Sequence, residues 1–189
     1  GWDSDRLAKI KQDFLDSFFL ASFTSNMSNN LPMWAHYANN HAGYCVKYKV
    51  GKIANVHRVL YLSKRYPIAN GIANFFRYRC MQNDVTASAE KRENARIGFQ
   101  KCLALIQEMY TIKHTSWDYE NEFRLFCNAL QGERGRNINA ASVGLTPTDV
   151  YCGVNCSKKH IEKIQSISEK TGLHFHRCKL SQTDYLIID

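Results

Sequence analysis

Two short stretches of this chain concentrate the side chains that can do chemistry. The first runs from Ser22-Phe23-Thr24-Ser25 into MWAHYANNHAGYC at 33–45. It crowds Trp34, His36, Tyr37 and His41 around a helix-to-strand turn, with the hydroxyls of Ser22 and Thr24 just ahead. Imidazoles exchange protons near neutral pH, and aromatic side chains can hold another ring. On a helix, Met33 and Tyr37 share a face, and His36 lies about 100° round from Tyr37. The plainer alternative is anchoring, in which Trp34 packs into the core while His36 and Tyr37 find hydrogen-bond partners.

The second stretch is WDYENEFR at 117–124. Read as a strand over 120–127, its alternation places Glu120, Glu122 and Arg124 on one face and Phe123 and Leu125 on the other, facing the core. The two carboxylates would stand about 7 Å apart. Lining a cleft, one of them can bind ribose hydroxyls or act as a base while Arg124 holds anionic oxygens; Trp117 adds a ring nearby. On an exposed edge the same residues form a salt-bridge ladder of little consequence. We expect the two stretches to meet in space.

Other combinations are weaker. His174 and His176 share a strand face but lack a third ligand nearby in sequence. Cys152 and Cys156, with His160 four residues on, read as buried thiols, so no metal site is expected. No P-loop, G-x-G-x-x-G or G-x-S-x-G occurs.

The elements that must position these groups can be read from periodicity. Leu7, Ile10, Phe14 and Phe18 recur at helical steps and predict a helix ending near Asp16, before a buried strand over 18–24. Asn30 can cap a short helix opened by Leu31-Pro32, which ends near Asn39-Asn40. Strands are expected at 44–50, 58–62, 120–127, 149–154, 173–180 and 185–188, and helices at 72–82 and 89–112. A turn is expected at 132–137. A further helix carrying Ile161, Ile164 and Ile167 should be capped by Ser157 and closed by Gly172. This order is no regular βαβ alternation. It predicts an α+β fold, a single domain over 1–189 with a mixed or antiparallel sheet and packed helices.

Composition agrees with a globular chain: 189 residues, 44% hydrophobic and 22% charged, with only three prolines and no linker-like stretch. No apolar run approaches the length of a membrane span. The start lacks the order of a signal peptide, and Gly1 in place of Met is expected of a processed or excised piece. Seven scattered cysteines do not form a disulfide framework, so a reducing, cytoplasmic setting is expected. Net charge is +8, and residues 47–113, including the basic helical section within 52–113, hold thirteen Lys or Arg against four acids. Interleaved with Tyr66, Phe75, Phe76 and Tyr78, that zone suits a nucleic acid or another phosphate-rich partner; the competing reading is a solvated helix face.

The motifs resemble a family of bacterial and phage proteins known only as a domain of unknown function. The family patterns are [CS]-F-[ST], M-W-x-H-Y-x-x-x-H-x-G-[FY]-C, W-x-x-E-x-E-[FW]-R and a late hydrophobic-G-x-x-[CM]-[ST]. Here they fall at Ser22 to Thr24, Met33 to Cys45, Trp117 to Arg124 and Val150 to Ser157. The family's opening segment, with an N-D-P-type loop, has no counterpart in this chain. The order of parts is similar to that of ADP-ribosyltransferases, which use NAD. That likeness implies an ADP-ribosyltransferase-like fold and enzyme, with Glu122 positioning the ribose and stabilising an oxocarbenium-like state. Glu120 would be its partner and Ser22 to Ser25 the supporting strand, while the pattern's early basic residue would fall in the segment without a counterpart. Two alternatives stand beside it: a basic nucleic-acid-binding module, and a nuclease or other hydrolase built on His36 and the glutamates.

Overall fold

The computed structural model describes residues 18–28, 30–64, 69–128, 133, 135–183 and 187–188. The helix expected over 7–16 lies outside the described residues, as do parts of the turn at 132–137 and of the terminal strand. Helices combine with mixed and antiparallel sheets, as an α+β chain requires. The chain divides into two compact units, one of residues 1–57 and 119–189, the other of residues 58–118.

The first unit holds both motif stretches up to position 45 and from position 119. Strand β1 (Phe18–Thr24) is followed by helix α1 (Leu31–Tyr37), strand β2 (Tyr44–Val50) and strand β3 (Val56–Arg58), whose last residue opens the second unit. The helix begins where its sequence says it should. Asn30 Oδ1 accepts the Met33 N–H at 3.3 Å, and proline occupies the first turn, where it costs no hydrogen bond. Trp34 is buried and donates its indole N–H to the Met27 carbonyl at 3.1 Å. It centres a core with Ala38, Tyr151 and Cys178, packed by Met27, Leu31, Cys45 and Val154.

The second unit is built from strand β4 (Leu60–Leu62), helix α2 (Ala69–Gln82), helix α3 (Ala89–Met109) and strand β5 (Ile112–His114). The helices pack as a hairpin around Phe75, Phe76 and Phe99, and β4 pairs in parallel with β5. Two expectations need correction. The strand predicted at 58–62 is interrupted at Val59, which is buried. The helix predicted to reach 112 stops at Met109, because Leu60 N–H takes the Thr111 carbonyl at 2.7 Å and draws 112–114 into the sheet.

Back in the first unit, strand β6 (Glu122–Asn128) runs antiparallel to β1 and is the centre of the order β1-β6-β3. Strand β7 (Leu145–Cys152) is the centre of a second sheet. It is antiparallel to β2 and parallel to strand β8 (His174–Arg177), which it reaches through helix α4 (Lys158–Thr171). Pro147 lies in this central strand at a register shift, where a missing N–H can be tolerated. Ser157 and Gly172 close α4 as expected; Ile167 is exposed, and Ser168, whose hydroxyl satisfies the Ile164 carbonyl, is buried. The expected strand 173–180 is two pieces, β8 and β9 (Lys179–Leu180), and β9 pairs with β10 (Ile187–Ile188).

The turn after α1 is tightly held. Asn39, Asn40 and His41 have φ of 48°, 51° and 66°, a left-handed run that side chains disfavour. The loop after β7 compensates: Gly153 N–H donates to Gly43 O at 2.9 Å, Asn155 N–H to His41 O at 3.0 Å, and Asn155 Nδ2 to Asn40 O at 3.1 Å. A Cβ on Gly153 would come within 2.1 Å of the His41 carbonyl oxygen. Gly153→Ala should therefore destabilise the protein by about 1–3 kcal/mol or more in urea unfolding. Gly135→Ala, whose Cβ meets nothing within 4 Å among the described residues, should stay within about 0.5 kcal/mol of the parent.

Candidate functional site

The β1–β6 pairing sets Ser22 opposite Arg124, Phe23 opposite Phe123 and Thr24 opposite Glu122. Ser22 Oγ donates to Glu122 Oε1 at 2.6 Å. Arg124 grips the same carboxylate with both ends, Nε to Oε1 at 2.7 Å and Nη2 to Oε2 at 3.1 Å. Glu122 is 5% exposed, so this is a largely desolvated ion pair with a charge-assisted hydrogen bond added. Alternation along β6 does place Glu122 and Arg124 together, with Leu125 buried on the other face and Phe123 half-buried.

Glu120 departs from the expected strand. It ends a 3₁₀ turn (Thr115–Glu120), and Asn121 follows with φ of 42°, so the alternation starts only at Glu122. The cause is on β1. Thr24 Oγ1 donates to the Glu120 carbonyl at 2.7 Å and Ser25 N–H to the Asn121 carbonyl at 3.3 Å, which holds the bend where strand pairing ends. Glu120 is 2% exposed, and its Oε1 accepts the Tyr37 hydroxyl at 2.9 Å. Asn30 adds a second tie, its Nδ2 donating to the Tyr119 carbonyl while its Oδ1 caps α1. Periodicity could not reveal this role; an asparagine at a helix start already has a sufficient reason to be there.

The structure thus bonds Ser22 and Arg124 to the Glu122 carboxylate, and Tyr37 and Thr24 to the side chain and the carbonyl of Glu120. His36 is exposed beside Tyr37, ring centroids 6.4 Å apart at 73°. Trp34 serves the core. His41 sits in the left-handed turn with Nδ1 buried and without a hydrogen-bond partner among the described residues. Trp117 belongs to the second unit, where Lys113 Nζ lies 4.9 Å from its ring centroid.

Elsewhere in the first unit, His176 Nε2 lies 3.0 Å from Asp149 Oδ1 and its ring stacks on Tyr151 at 4.5 Å. Cys152, Cys156 and Cys178 are buried. Burial, reinforced by the Cys156 and Cys178 thiols, pushes the Cys152 thiol up to about 12, while Arg177 opposes the shift. Among the described residues no group of three or more His, Cys, Asp or Glu is arranged to hold a metal ion, and no helix is long and apolar enough to cross a membrane.

Several cations of the basic zone have internal contacts. Arg96 pairs with Glu93 at 2.7 Å, Arg92 donates to the Val85 carbonyl at 3.3 Å, and Arg79 lies 5.3 Å from the Phe99 ring centroid. A groove of about 310 Å³ at the α2–α3 junction is lined by Gln82, Asn83, Ala89, Arg92, Glu93 and Arg96.

The buried pair makes a quantitative demand. Glu122→Gln or Arg124→Gln alone leaves one group without its counter-charge, so each should cost about 3–5 kcal/mol. The double variant should recover part of that loss, with a coupling of about 1–3 kcal/mol in a denaturation cycle.

No curated protein and no solved structure matches the chain. The family model described as a protein of unknown function (DUF2971) matches residues 33–125, a stretch that holds most of α1, all of β2 and the start of β6. Over that stretch the chain is similar to the DUF2971 family.

Proposed function

We propose that the Glu122 site transfers an ADP-ribosyl group from NAD, used as a substrate. The observation that supports this reading is the contact between strands, with Ser22 Oγ 2.6 Å from Glu122 Oε1 and Arg124 closing the other side. A carboxylate fixed in this way cannot turn to follow solvent, so its negative charge is already oriented before a substrate arrives.

In the reaction, the bond between ribose C1′ and the nicotinamide nitrogen breaks, and the bonding electrons leave with neutral nicotinamide. Positive charge develops on the ribose. Glu122 stabilises that charge and accepts from a ribose hydroxyl, as carboxylates do for other glycosyl cations. The acceptor's lone pair forms the new bond at C1′, and its proton passes to solvent or to Glu120. Ser22 holds Glu122 in place. Arg124 balances its charge.

The test is nicotinamide release from NAD, followed by chromatography, with and without a cell-lysate protein acceptor. The parent protein should release nicotinamide. Glu122→Gln should lower the rate about 100-fold or more, and the Glu122→Gln, Arg124→Gln double variant should regain stability without regaining rate. Ser22→Ala should cost about 1.5–3 kcal/mol of stability and part of the rate. Absence of release from the folded parent under all these conditions would reject the reading.

A further inference from the structure

We infer that Tyr37 is a pre-anchored stacking platform for a planar nitrogen heteroaromatic ring, the ring subsite of the neighbourhood around Glu120 and Glu122. The choice of ligand class rests on the transferase reading; the geometry behind the platform does not.

Tyr37 combines two properties that seldom occur together. It is 62% exposed, among the most open aromatic side chains described, and yet its hydroxyl is tied at 2.9 Å to a carboxylate that is only 2% exposed. Burying a carboxylate is costly, and an apolar residue would fill that volume with less penalty.

The helix under the ring is fixed as firmly. Asn30, 3% exposed, caps α1 and at the same time donates to the Tyr119 carbonyl, one residue before Glu120. Buried Trp34 pins the middle of the same helix through Met27. The base of Tyr37 and its hydroxyl are therefore both referred to the turn over 119–121. A ring immobilised in advance has little conformational entropy left to lose when a second ring stacks on it. Its environment also supplies polar edges: the exposed His36 imidazole stands at 73° to the Tyr37 ring and can bond the nitrogen or amide substituents of a heterocycle.

The same chemistry describes both ends of NAD, so adenosine and nicotinamide are tested separately, with ribose 5-phosphate as a ringless control. Binding to the full chain is measured by ligand-observed saturation-transfer NMR, and folding by thermal melts. One or both ring compounds should bind and the control should not. Tyr37→Ala should weaken binding about tenfold or more with a nearly unchanged melt, because most of the ring contacts solvent. Tyr37→Phe keeps the ring but loses its anchor, and should fall between the two. Asn30→Ser can still cap the helix but cannot reach Tyr119, and should weaken ring binding as Tyr37→Phe does.

Equal binding by parent and Tyr37→Ala, or no ring-dependent binding to the parent, would overturn the inference. If Tyr37→Ala fails to fold, Tyr37→Phe decides, and unchanged binding there overturns the anchored platform. Ring binding that depends on Tyr37 without nicotinamide release upholds the platform and counts against the transferase. Nicotinamide release with kcat/KM untouched by Tyr37→Ala does the reverse.

Discussion

Two carboxylates, separated by one residue in sequence and nearly excluded from water, govern how the site is built. Each must be compensated where it sits, and each is compensated differently. Glu122 receives a guanidinium and a hydroxyl, which together cover both of its oxygens. Glu120 receives the phenol of Tyr37 at the end of α1. The backbone between them has to turn for the two side chains to reach such different partners, and Asn121 provides the left-handed step. From there the demands spread outward. Thr24 must hold the bend, β1 must pair in register through Thr24, and Asn30 must hold α1 against the turn.

Much of this was legible in the residues. Polar groups that are expensive to desolvate were concentrated in two aromatic-rich stretches, and the structure bonds members of both stretches to one another. The caps at Asn30, Ser157 and Gly172 follow from local chemistry and fell where expected. What stayed hidden was decided by partners distant in sequence. Alternation continues on paper through Glu120, but the strand starts at Glu122 because residues about a hundred positions earlier take the preceding carbonyls. Residues 110–112 look like the tail of a helix until Leu60 competes for Thr111. An apolar Ile167 left exposed while Ser168 is buried reflects helix rotation, which spacing alone does not fix to within one position.

The two units carry charge to different ends. In the second, arginines are spread over helix surfaces and several lean on local acids, carbonyls or rings, an arrangement with modest energetic stakes in water. In the first, a single arginine is committed to one carboxylate in a nearly dry setting, where loss of either partner is expensive. Count alone would point to the basic helices as the more eventful region. Burial points instead to the β1–β6 pair.

The strand pairings also set the smallest piece of this chain that could be handled on its own. The stretch matched by the family model, 33–125, contains β2 but not β7, and the last three of the seven paired residues of β6 lie beyond its end, as all of β1 lies before its beginning. Cut out at those limits, it would carry two orphaned strand edges, Glu122 would have no serine, and the left-handed turn would lose Gly153 and Asn155. Such a fragment presents the unpaired backbone that seeds association between chains. The matched segment is thus narrower than the unit that folds, and domain limits drawn from sequence matching would divide both three-stranded sheets of the first unit.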